Sequence, residues 1–143
     1  MTGPIFDTHA HYSAHAFDAD RFALLDSLPA KGVVGVCEQA THSGDAPRVL
    51  ELAHRYPWVV AAIGIHPESL LAPEDCGADG PAPTVSVYGG DWAAEMRALA
   101  PYYDDPKVVA VGECGLDYHW PVPKDAQLAL FEAEIKLALE LDK

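Results

Sequence analysis

Basic residues are scarce in this sequence: nine Lys and Arg stand against 22 Asp and Glu, a formal net charge of −13, and none lies between Arg55 and Arg97. A protein that grips nucleic acid with a basic face shows the opposite balance, so that class is excluded. If the substrate is nonetheless a phosphodiester, something other than Lys and Arg must screen it, and bound divalent cations are the natural candidate. Cysteine is scarce too. Cys37, Cys76 and Cys114 are odd in number and lack paired spacing, which excludes a disulfide framework and a zinc ribbon and leaves buried or free thiols. Long hydrophobic runs are missing: "WVVAAIGI" at residues 58 to 65 falls far short of a membrane span. Met1 to Asp7 has no basic, apolar leader, so the expected location is the cytoplasm, with no membrane partner. Also absent is a Gly-rich phosphate loop behind the first apolar run, where "DTHAHYSAHAF" stands instead.

What is present has the composition of one ordinary globular domain: 143 residues, 50% hydrophobic and 22% charged. The pattern alternates. "PIFDTHAHY" (4 to 12) reads as a strand, and residues 18 to 32 read as a helix capped by Asp18 or Asp20 and stopped near Gly32. "VVGVCEQA" (33 to 40) is a second strand, followed by a helix with Asp45 as N-cap, Pro47 just inside, and Ala46, Val49, Leu50 and Ala53 on one face. "VVAAIGIH" (59 to 66) is the third strand. After a Pro/Gly-rich passage from Pro67 to Gly90, Asp91 caps a helix expected to bury Trp92, Met96, Leu99 and Ala100. "KVVAVGE" is the fourth strand, and residues 124 to 142 form a last helix with Leu128, Phe131, Ile135, Ala138 and Leu139 as its apolar face.

Four strand-helix units in succession predict a parallel α/β sheet with helices packed against it. Two architectures compete: an open doubly wound sheet, or part of an eight-unit barrel, which needs about 250 residues when complete. The missing phosphate loop favours the barrel.

The strand ends carry the chemistry. In "VGECGLDYH" (111 to 119), Glu113 breaks an apolar run at the C-terminal tip of a strand, where α/β folds place their sites. Side chains alternate along a strand, so Asp7, His9 and His11 share one face of the first, and two imidazoles there can grip one cation. Neutral imidazole suits Zn, Fe, Ni and Cu, and an added carboxylate widens the range towards Mn or Mg. His66 occupies the corresponding tip of the third strand. His15 reads as surface, and His42, His54 and His119 receive no role.

"FDTHAHY", "GIHP" and "VGECGLDYH", in this order and at these tips, resemble the TatD family of metal-dependent deoxyribonucleases, within the amidohydrolase-like barrel superfamily. The last helix, "QLALFEAEIKLALEL" with Gln127 and Phe131, resembles the family's helix after strand four. The resemblance implies the first four β/α units of a TIM-type (β/α)8 barrel, truncated, with residues 1 to 143 as the N-terminal half of a single domain. It implies that His9 and His11 ligate a metal, that Glu113 is a ligand shared between two metals, and that His66 lines the site near the substrate phosphate. It further implies two divalent cations per complete site (Mg, Mn or Zn), and a hydrolase cleaving DNA phosphodiesters in a 3'-5' exonuclease-like manner. Amidohydrolase-type cleavage of an amide, ester or lactone, and a non-catalytic half barrel that associates with a partner, are the alternatives.

One departure from the family stands out. There the last helix runs into a fifth strand with a PV-x-x-H-x-R-like pattern, and two further histidines and an aspartate complete the ligands beyond it, whereas this sequence stops at Lys143. Leu70 to Asp91 is also longer and richer in Pro and Gly than the resemblance leads one to expect. The chain alone is therefore expected to hold a cation weakly, to have little activity, and to self-associate through unpaired strand edges.

Overall fold

The four apolar runs form four parallel strands in a computed structural model that describes residues 3 to 71 and 86 to 143: β1 (Ile5–Ala10), β2 (Val33–Gln39), β3 (Val59–Ile63) and β4 (Val108–Val111). Their spatial order is β1-β2-β3-β4, the order of the chain. A doubly wound sheet reverses direction at a switch point, whereas here every crossover steps the same way, as in the wall of a barrel. The intervening helices are α1 (Arg21–Ser27), α2 (Ala46–Arg55) and α3 (Trp92–Leu99), and α4 (Lys124–Leu141) follows β4. Among the described residues no helix is long and apolar enough to cross a membrane. Cys37 is buried and Cys114 exposed, both free, while Cys76 and most of the Pro/Gly-rich passage fall outside the described residues.

The core lies between the sheet and its helices. Val36, Val59, Ala61, Ile63 and Val108 bury one face of the sheet against Leu25, Val49, Ala53, Leu99 and Leu130. The expected face of α2 is buried throughout, at Ala46, Val49, Leu50 and Ala53. Residues 18 to 32 do not form one continuous helix: α1 gives way at Pro29 to a 3-10 turn, which Gly32 ends in the left-handed region at φ 91°. Asp20 occupies the N-cap position without a side-chain bond, and Asp18 pairs with Arg21 and Arg48 instead. Asp91 caps α3 as expected, accepting from the Ala94 N–H, but Ala100 is exposed in a following turn and Trp92 and Met96 are only half-buried.

The last helix departs most from expectation. Leu128, Ile135 and Leu139 are 43%, 45% and 78% exposed, and the buried face is Gln127, Leu130 and Glu134. An apolar stripe shows which residues can be buried, not which have a neighbour. The polar pair on the buried face is held by specific bonds. Gln127 accepts from the Asp117 N–H and donates to the carbonyls of Asp117 and Val122, and Glu134 accepts from the Ile65 N–H at 2.8 Å.

All four strands end before the runs expected for them, and after β1 and β3 the backbone finds other partners. β1 stops at Ala10 rather than Tyr12, and the Ser13 N–H turns to Glu38 on β2. β3 stops at Ile63 rather than His66; beyond it the Ile65 N–H turns to Glu134 and the His66 N–H to the Thr41 carbonyl. Between these ends the chain passes close to β4. A Cβ on Gly64 would lie 2.7 Å from the Gly112 carbonyl carbon and 2.8 Å from the backbone carbonyl oxygen of Glu113, so only glycine fits.

Two outcomes are expected. Gly64→Ala must displace backbone, and we expect a loss of about 1–3 kcal/mol in a denaturant melt; unchanged stability would show the contact to be slack. Burial raises the Glu134 carboxyl from its ordinary 4.5 to about 8. The folded chain then holds a proton that the unfolded chain has released between those values, so stability falls as pH rises through that window. Melting temperature should drop from pH 5 to 8, and Glu134→Gln should flatten the profile and gain most at pH 8.

Candidate metal centre

Alternation along β1 places the His9 and His11 rings together at its tip, with their Nε2 atoms 3.2 Å apart and the rings edge to face. Asp7 turns back and accepts the His9 N–H at 3.2 Å. Glu113 reaches the same point from beyond β4. Its N–H donates to the Ala40 carbonyl at 2.8 Å, and the preceding Gly112 N–H donates to the Ile63 carbonyl at 3.0 Å, so the tips of β2 and β3 both hold it. One Glu113 oxygen lies 3.5 Å from His9 Nε2 and 3.7 Å from His66 Nε2; the other lies 3.1 Å from His11 Nε2. Residues from β1, β3 and β4 thus converge on one carboxylate.

The electrostatics follow the geometry. The hydrogen bond to His11 lowers the Glu113 carboxyl below its ordinary range, against the opposing effect of burial, with His66 and His9 adding to the shift. The same bond to Glu113 raises His11.

The donor set fits a metal ion. Ligand atoms of His9, His11 and Glu113 all lie within 4.8 Å of one another. Around a cation with bonds near 2.05 Å, neighbouring donors lie about 3.3 Å apart in a tetrahedral shell and about 2.9 Å apart in an octahedral one. The two Nε2 atoms, 3.2 Å apart, and the 3.1 Å from His11 Nε2 to Glu113 Oε2 match neighbours in one shell, while His9 Nε2 lies 3.5 Å from the other carboxylate oxygen.

His66 differs from the other two histidines. Its Nδ1 accepts the Glu68 N–H at 3.2 Å, so the neutral ring carries its proton on Nε2, the atom facing Glu113. An N–H aimed into the site is a donor for an anionic oxygen, and it does not act as a metal ligand while it keeps that proton.

These groups open onto a cavity of about 530 Å³ whose walls include His11, His66, Glu68 and Glu113. His15 and His42, which sequence reasoning left without a role, line it as well, together with Arg48. Sequence reasoning also missed Glu38, which is fully buried on β2 and accepts the Ser13 N–H at 2.5 Å, holding the loop that leaves β1. The signal was available: an acid inside "VVGVCEQ" has no reason to be in a buried strand unless it satisfies something.

The model of the family described as TatD related DNase matches residues 6 to 143. The metal-dependent hydrolase YabD of Bacillus subtilis is 33% identical over 141 residues, covering 96% of this chain and 48% of that protein. A 3'-5' ssDNA/RNA exonuclease TatD from Salmonella typhimurium is 28% identical, covering 96% of this chain and 46% of its own. Among solved structures, the crystal structure of YJJV, a TatD homologue from Escherichia coli, superposes with a TM-score of 0.75 at 29% identity, over 96% of this chain and 48% of that one. The chain spans about half the length of the curated relatives it matches. A family match over nearly the whole chain, and four β/α units that superpose on a relative's fold, lead to one assignment: the chain belongs to the TatD related DNase family.

Proposed function

We propose that the chain supplies the N-terminal half of a single barrel that hydrolyses phosphodiesters, with single-stranded DNA as substrate, attacked from its 3' end. One observation carries the reading: two imidazoles and a carboxylate from β1 and β4 are spaced as a coordination shell, beside a histidine that presents an N–H. In the proposal His9, His11 and Glu113 hold a divalent cation, Mg, Mn or Zn. In the complete site Glu113 would be shared with a second cation, having a second carboxylate oxygen to offer. When bound, such cations lower the pKa of water and offset the charge of a phosphodiester. His66 donates from Nε2 to a phosphate oxygen and orients the ester against Glu113. Glu68 fixes the His66 tautomer through its N–H. The name of the Salmonella relative, a 3'-5' ssDNA/RNA exonuclease, supports the substrate class and direction. Cytoplasmic residence belongs to the same proposal, supported by the free thiols of Cys37 and Cys114 among the described residues.

Self-association is also proposed. β1 and β4 are the sheet edges, and Ile5, Phe6, Val34 and Val109 are exposed at 45%, 53%, 57% and 46%, alongside the bare stripe of α4. A second copy supplies the matching edges and apolar faces.

Calorimetric titration with manganese tests the site. Glu113→Gln and His11→Ala are each expected to weaken binding at least about tenfold, with the melt in EDTA little changed; wild-type affinity in both variants would remove the site. In the complete barrel Glu113→Gln should abolish release of nucleotides from single-stranded DNA. Sedimentation velocity should give a mass above the 15.4 kDa of one chain; a monodisperse monomer would count against association.

A further inference from the structure

The cavity that holds Glu113 has a second part, around Arg48. Arg48, from the first turn of α2, is the one Lys or Arg among its lining residues, in a chain of net charge −13. Its Nη2 donates to Asp18 Oδ1 at 2.5 Å, and its Nη1 lies 2.7 and 2.9 Å from the two ring nitrogens of His15. Asp18 does not cancel this charge alone, because the same oxygen also accepts from Arg21 at 2.7 Å. Two guanidiniums share one carboxylate, whose other oxygen lies 2.9 Å from His15 Nδ1, so Asp18 is divided among three partners. Arg21 is committed elsewhere: it is largely buried and donates to the carbonyls of Tyr12, Ser13 and Ala14. Arg48 is 30% exposed and has no backbone acceptor among the described residues.

His42 stands beside it, prepared as a donor. Its Nδ1 accepts the Gly44 N–H at 2.8 Å, so the neutral ring carries its proton on Nε2. The ring lies where a side chain on residue 44 would be, since a Cβ on Gly44 would come within 2.7 Å of it. Asp45, the acid nearest in sequence, accepts from the Thr41 N–H, the Thr41 hydroxyl and the His42 N–H, which occupies its oxygens. Left as a purely structural tie, the Asp18–Arg48 pair is surface-exposed and contributes little. A guanidinium at a cavity wall, tied only to an exposed carboxylate it shares and to an exposed imidazole, can exchange those partners for a phosphate, whose geometry its fork matches.

We infer that Arg48, with His42, forms an anion subsite that takes the phosphate next to the one held at Glu113 and His66. The inference rests on the phosphodiester reading above, and it makes an oligonucleotide, rather than a mononucleotide, the ligand that fills the cavity. Arg48 is here a specificity-determining residue.

The test is calorimetric binding of a 5'-phosphorylated DNA dinucleotide and of the corresponding mononucleotide, in manganese and again in EDTA. With manganese the dinucleotide should bind about tenfold tighter than the mononucleotide, and Arg48→Met should remove that difference while leaving the mononucleotide unchanged. The slope of log affinity against log salt for the dinucleotide should fall by about 0.7. A merely structural arginine would not move that slope. Arg48→Lys, which keeps the charge and loses the fork, should lie between the two, and Arg55→Met, outside the cavity, should match wild type. Overturning results are an unchanged affinity and slope in Arg48→Met, an equal loss in Arg55→Met, or no preference for the dinucleotide in wild type. Manganese titration without nucleotide separates the two readings. If manganese fails to bind, the metal reading falls, and the subsite stands or falls on whether Arg48→Met still weakens the dinucleotide in EDTA.

Discussion

A strand that leaves its sheet must find new acceptors for its backbone N–H groups, and in this chain a buried side chain supplies one at every strand end. Glu38 on β2 receives the Ser13 N–H from the loop after β1. Glu95 on α3, 1% exposed, receives the Ser43 N–H and hydroxyl from the loop after β2. Glu134 on α4 receives the Ile65 N–H at the end of β3, and Gln127 on the same helix receives the Asp117 N–H after β4. For the first three loops the acceptor comes from a later unit of the chain. The loops that carry His11, His42 and His66 are thereby fixed by packing elsewhere, which keeps the site groups free to face the cavity.

Glu113 is held by the same logic, applied through the backbone. Its N–H reaches the Ala40 carbonyl across the tip of β2, and Gly64 leaves the room that this path requires. A carboxylate among three imidazoles is costly to assemble in water, because each ring must lose rotamer freedom. Here β1, β3 and β4 have already fixed them, and one carboxylate serves all three. That preorganisation is what the proposed cation site rests on.

The pairing of His9 with His11 and the placing of Glu113 and His66 were legible in the sequence because they depend on strand alternation and on where apolar runs end. Both are local properties. The exposed stripe of α4 was not legible. Leu128, Ile135 and Leu139 look like a core face, and whether they are one depends on a neighbour that amphipathicity cannot report. Nor were the buried acids legible as a set: Glu95 and Glu134 sit on helices at positions that a propensity argument assigns to solvent, and only the loop N–H groups they meet explain them.

The chain's acidity also takes a different meaning from its distribution. Some of its carboxylates are internal acceptors, and the Glu134 carboxyl, raised to about 8, stays largely protonated at neutral pH, so the formal charge overstates the surface charge. What remains still repels a polyanion from most of the surface. Within the cavity, imidazoles and the Arg48 guanidinium stand beside Asp45, Glu68 and Glu113, so on the proposed reading it is a bound cation that turns the balance toward attraction. A basic face would hold DNA anywhere along its length. On the proposed reading, an acidic body with its cation site inside a cavity takes only the segment of a strand that can enter it, and a free strand end enters more readily than the middle.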